Sequence, residues 1–156
     1  MKILSVAADN RRKIFTVKTP RETYDFPYAK LQVPPSPEDR LAEVHPDEEL
    51  GQEAFTYTLE SGREGTVHVD QVLDYNRDPA YLADLLLYKL TLEAEKRLEA
   101  SGIGIRQLAR RLKTSPSQVY RLLDTTNYTK SVRQMLALLH ALDCEVDLVV
   151  RDRAAV

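Results

Sequence analysis

Tryptophan is absent from this chain of 156 residues, cysteine occurs once, and no apolar run is long enough to cross a bilayer. Each shortage excludes a class of protein. The single cysteine, Cys144, permits no internal disulfide and no multi-cysteine metal site. His45, His68 and His140 are far apart in sequence and supply no metal-ligand spacing. The most apolar patch, residues 81–92, is broken by Asp84 and Lys89, whereas a membrane helix needs roughly 20 apolar residues. The N-terminus carries one early lysine and a short apolar run before Asp9, unlike a secretory leader, so a cytoplasmic protein is expected. No glycine-rich phosphate loop is present, and no carboxylate sits with a histidine or nucleophile at a spacing that implies shared chemistry. These absences lead to the expectation of a non-enzymatic protein with no cofactor and no metal.

The charges are divided along the chain. Residues 1–100 carry 13 Lys and Arg against 19 Asp and Glu, whereas residues 101–156 carry 9 against 5. A net charge of −2 therefore hides an acidic first part and a basic second part. Between residues 101 and 135, Arg106, Arg110, Arg111, Lys113, Arg121, Lys130 and Arg133 face a single acid, Asp124. A basic segment after an acidic one is the charge pattern of an appended nucleic-acid domain.

The hydrophobic period changes in the middle of the chain. Residues 3–8 and 13–17 are short β-type runs separated by Asp9, Asn10, Arg11 and Arg12, which predicts a hairpin, and residues 23–26 offer a third strand. Residues 55–59 and 66–69 predict a second hairpin, its loop holding Gly62 and Gly65 for positive φ. The prolines at 34, 35 and 37, followed by acids through Glu49, predict a long surface loop between the two pairs. At Asp78 and Pro79, a good N-cap followed by a good first helical residue, the period becomes 3.6. An apolar stripe through Leu82, Leu85, Leu86, Leu90 and Leu98 then continues to Gly102, as one helix or as two with a bend.

The functional signal lies in Gly102-Ile103-Gly104-Ile105-Arg106-Gln107-Leu108-Ala109 and the residues after it. Leu108 and Leu112 are one turn apart on a first short helix, and Val119 and Leu122 are three apart on a second. Ser115 and Pro116 start the second helix, and small Ala109 stands where crossing helices need close approach. Over about fifty residues, 92–142, the pattern resembles the lambda repressor-like, or XRE-type, helix-turn-helix family. Residues 131–142 resemble that family's last helix, and residues 145–150 resemble the C-terminal strand of its antitoxin-like members. Lys113 occupies the turn position usually held by glycine, so it is expected to carry a positive φ at a cost of about 1 kcal/mol. More loosely, the first half resembles small β-rich domains that precede helix-turn-helix modules in bacterial proteins.

The resemblance implies an α+β fold, with a small antiparallel β-rich domain at residues 1–76. An all-helical lambda repressor-like helix-turn-helix domain with a short C-terminal strand follows at residues 77–156. It implies a sequence-specific DNA-binding transcription regulator, of the kind that includes autorepressors and antitoxins of small operons. The partners implied are double-stranded DNA, a second copy of the chain, and a toxin or other protein. The expected base-reading residues are Ser115, Ser117, Gln118, Tyr120 and Arg121, because arginine pairs with guanine and glutamine with adenine. Arg106, Arg110, Lys113, Tyr128, Lys130 and Arg133 are the expected phosphate contacts. The alternative is a helical protein-interaction module that does not bind DNA, in keeping with Pro116 at a position that often reads bases.

Overall fold

The computed structural model describes residues 1–153, and the last three positions of the expected second domain lie outside them. The chain divides into two compact units, Met1–Leu82 and a second from Ala83 onward. The sequence expectation places the domain boundary between residues 76 and 77. Asp78 and Tyr81 belong to the first unit for physical reasons. The Asp78 carboxylate accepts from Arg21 Nη2 at 2.7 Å and from the Tyr24 hydroxyl at 2.9 Å, and Tyr81 packs against the first core.

In the first unit, β1 (Ser5–Asp9), β2 (Ile14–Lys18) and β3 (Thr23–Pro27) form one antiparallel sheet. The strands β4 (Leu41–Pro46), β5 (Ala54–Leu59) and β6 (Glu64–His68) form a second antiparallel sheet. Alternate side chains point inward, so Phe15 and Val17 of β2 lie opposite Phe26 and Tyr24 of β3. Phe55, Tyr57 and Leu59 do the same on β5. Phe15 meets Phe55 at a ring separation of 4.9 Å, joining the two sheets in one core with Val69, Val72 and Leu73.

Two elements depart from the sequence expectation. β4 falls in the stretch read as loop, because its outward residues Glu43 and His45 are exposed on an edge strand, where acids cost nothing. The run 66–69 does not continue as strand, because it is cut at His68, which caps α1 (Val69–Tyr75). Asp70 N–H donates to His68 Nδ1, while His68 N–H donates to Gln71 Oε1, a reciprocal cap.

Gly62 has the positive φ of 89° that its loop requires, but Gly65 serves differently. A Cβ at Gly65 would fall on the Tyr57 hydroxyl and ring in the neighbouring strand. Tyr57 is buried, and its hydroxyl oxygen accepts from Val33 N–H at 3.3 Å. Gly65→Ala is therefore expected to destabilise the first unit by about 1–3 kcal/mol, read as a lower midpoint in chemical denaturation. Gly62→Ala in the same loop meets open space and is limited to the backbone cost of its φ.

The division between units falls within α2 (Pro79–Ser101), a single continuous helix capped where Tyr81 N–H donates to Asp78 Oδ2 at 2.9 Å. Its Leu87, Thr91 and Ala94 enter the core of the second unit at helical spacing. Thr91 satisfies its buried hydroxyl by donating to Leu87 O at 2.7 Å. α3 (Ile105–Leu112), α4 (Pro116–Leu123) and α5 (Val132–Ala141) complete that core with Leu108, Val119, Leu122, Met135 and Leu138. The expected C-terminal strand is not formed: residues 144–153 adopt neither helix nor strand, and neither sheet includes them. A strand needs a ladder partner, and residues 145–150 have none among the described residues. Among the described residues, no helix is long and apolar enough to cross a membrane.

Candidate nucleic-acid interface

The turn between α3 and α4 is made by its end groups. α3 ends at Lys113, whose φ of 55° and ψ of 45° are left-handed, as the turn position required. This conformation lets Lys113 N–H reach Arg110 O and Thr114 N–H reach Ala109 O, satisfying the last helical carbonyls. Ser115 then starts α4: Gln118 N–H donates to its Oγ at 3.2 Å, and Pro116 follows in the first turn. Buried Leu108 and Ala109 on α3 share the core with Val119 and Leu122 on α4. Because Lys113 bears a left-handed strain that glycine would not, Lys113→Gly is expected to stabilise this unit by about 0.5–1 kcal/mol in thermal melts.

This packing turns a polar face of α4 outward. Ser117, Tyr120 and Arg121 are exposed and Gln118 is half-buried; Tyr120, at 62% exposure, has no role in the core. Ser115 is also exposed, but its oxygen is engaged in the cap. Arg106 and Arg110 are exposed on α3, Lys113 in the turn, Tyr128 in the loop after α4, and Arg133 in the first turn of α5. Arg121 is held in place: its Nη2 donates to Thr129 Oγ1 at 3.0 Å, Thr129 donates to Asn127 Oδ1 at 2.7 Å, and Asn127 Nδ2 returns to Arg121 O at 3.1 Å. Asn127 and Thr129 were not anticipated as site residues. Their only sequence signal was a cluster of turn-forming side chains just after a helix.

Lys130 does not belong with the phosphate contacts. It is 4% exposed, and its ammonium donates to Leu122 O at 2.8 Å and Asp124 O at 2.9 Å, closing the C-terminal end of α4. Burial pushes the Lys130 ammonium below the ordinary lysine range, against the opposing pull of Asp124 and Glu95. Hydrogen bonds from the Thr126 hydroxyl and N–H lower the Asp124 carboxyl. Arg111 is likewise spent on the fold, donating from Nη1 to Ala141 O at 2.9 Å near Asp143. Among the described residues, no group of His, Cys, Asp and Glu side chains is placed to hold a metal ion.

Two short helices joined by a capped turn and seated on flanking helices constitute a helix-turn-helix domain, an arrangement that many DNA-binding proteins use. Residues 89–126 match the family model described as the helix-turn-helix domain of resolvase, covering the later part of α2, all of α3, the turn and α4. The matched family differs from the lambda repressor-like one that the sequence resembles. Resolvases are enzymes, but the match is confined to the helix-turn-helix segment. No curated protein and no solved structure is significantly similar to the chain.

Proposed function

We propose that α4 enters the major groove of double-stranded DNA and that the chain is a homodimeric, sequence-specific transcription regulator of the lambda repressor-like type, acting in the cytoplasm as an autorepressor or antitoxin of a small operon. The observation that carries the reading is the outward face of α4, where Ser117, Tyr120 and Arg121 are exposed beside half-buried Gln118. Arg106, Arg110, Lys113 and Arg133 flank that face, free of ion pairs and suited to phosphates. Ser115 has a hydroxyl proton left to donate after accepting in the cap, and Tyr128 supplies a further hydroxyl. The lambda repressor-like subtype draws support from α5, beyond the matched segment, which starts with a reciprocal cap between Ser131 and Gln134. Fluorescence anisotropy of the full chain on random duplex DNA tests the reading, with retention that weakens as salt rises the expected result and no retention at about 50 mM salt the contrary one.

The dimer follows from what one recognition helix can deliver, since useful selectivity normally takes two half-sites about one helical turn apart. Val146, Leu148 and Val150 alternate along residues 145–150, and Leu148 and Val150 are 87% and 83% exposed. Pairing of this segment with its copy would cover those side chains and give a two-fold assembly matched to a palindromic site. Truncation after Cys144 is expected to convert the dimer to a monomer in sedimentation and to lower affinity for a palindromic duplex at least about tenfold. A persistent dimer would place the interface elsewhere.

A second reading, a helical module that contacts a toxin or other protein and not DNA, is favoured by Val132 and Leu136. They lie one turn apart on α5 at 45% and 41% exposure. Failure to retain any duplex DNA would favour it.

A further inference from the structure

A groove of about 730 Å³ opens in the first unit beside the turn between β1 and β2. That volume lies within the roughly 300–1,000 Å³ usual for small-molecule sites. Its lining is mainly apolar, with Ile14, Tyr28 and Leu41 alongside Pro34, Pro35 and Pro37. Prolines have fixed φ, so that wall has little freedom to lose when a ligand binds. Tyr28 is also fixed. Its N–H donates to Lys13 O at 2.9 Å, its hydroxyl to Asn10 Oδ1 at 2.8 Å, and its ring lies 4.9 Å from Phe15.

The groove's charge is one-sided: Arg12, Lys13 and Arg40 stand against Glu60 alone. Arg12 shares its charge with Asp25 at 3.4 Å. The side chains of Lys13 and Arg40 have no hydrogen bond or ion pair among the described residues. We propose that this groove binds a small organic anion, an apolar or aromatic body lying against Tyr28 and the prolines with its acidic group paired to Lys13 and Arg40. The combination excludes a simple inorganic anion as the best fit, because most of the lining would then face water. It disfavours a cation, which would meet two unpaired positive charges at the mouth. The site is independent of whether α4 binds DNA.

The test is a fluorescence titration of the full chain with 1-anilinonaphthalene-8-sulfonate, an aromatic anion, and with N-phenyl-1-naphthylamine, its uncharged counterpart. The sulfonate is expected to saturate at one site per chain and to lose at least about tenfold in affinity in the Lys13→Ala, Arg40→Ala double variant. The uncharged dye is expected to bind both proteins alike. Leu50→Ser, at another exposed apolar position, leaves the sulfonate isotherm unchanged. Both substituted cations are exposed, so circular dichroism melts of the double variant coincide with those of the parent. Sulfonate affinity within twofold of the parent in the double variant, or loss of the site in Leu50→Ser, would overturn the proposal.

Discussion

Lys130→Ala is expected to lower the stability of the helical unit by about 3 kcal/mol while leaving DNA affinity at low temperature unchanged. The substitution removes a buried ammonium and strands the Leu122 and Asp124 carbonyls that it serves. The last turn of α4 and the loop to α5 lose their tie. For a unit of this size the thermal midpoint falls by more than about 10 °C. Lys130→Met retains much of the packing but not the two charge-assisted hydrogen bonds, so its loss is smaller but of the same sign. Arg133→Ala is the counterpart: exposed and without a partner, it leaves the melt unchanged and weakens all duplexes alike. Thermal melts and anisotropy at about 10 °C on the three variants check the assignment. A Lys130 variant that melts like the parent but binds DNA poorly would return Lys130 to the phosphate set.

Arg121→Ala is expected to erase discrimination at one base pair of each half-site, a loss of about 1–3 kcal/mol, or roughly 5- to 150-fold. A guanidinium reads guanine only when its fork is aimed, and here the Thr129 hydroxyl holds one nitrogen while Asn127 holds Thr129. Thr129→Val therefore reduces discrimination at that same base pair by a smaller factor, though residue 129 need touch no base. Gln118→Ala is expected to relax preference at a neighbouring position where adenine is bound. Competition binding with single-base-pair variants of the duplex measures both effects. Uniform weakening across every variant duplex would reassign Arg121 to the phosphate backbone.

Much of this arrangement was legible from local chemistry. The Asp78 and Ser115 caps, the Lys113 turn and the spacing of Leu108, Val119 and Leu122 are each decided within a few residues, and the structure places them where the pattern predicted. The match to a helix-turn-helix family model rests on the same stretch. What escaped was decided by partners distant in sequence or by groups without periodicity. Lys130 reads as one more surface cation until the end of α4 is seen to fold over its ammonium. β4 is hidden among prolines and acids that flank it, and its one acid, Glu43, stays in water on an edge strand. Gly65 carries a turn signal, but its lack of a side chain answers to Tyr57 across the sheet. The C-terminal run has the alternation of a strand but, among the described residues, no ladder partner, and alternation alone does not make a strand.

Whether the exposed face of α4 reads DNA sequence is decided by affinity for a duplex enriched from a random pool, compared with a scrambled duplex across a salt series. The enriched duplex is expected to be bound at least about 10³-fold more tightly near physiological salt. Binding to both falls with salt, each phosphate contact adding about 0.9 to the steepness of the log–log slope. Arg121→Ala lowers the preference, whereas Arg110→Ala and Arg133→Ala make the slope shallower. Equal affinity for the two duplexes, or affinity indifferent to salt and to all three substitutions, would contradict sequence reading by α4.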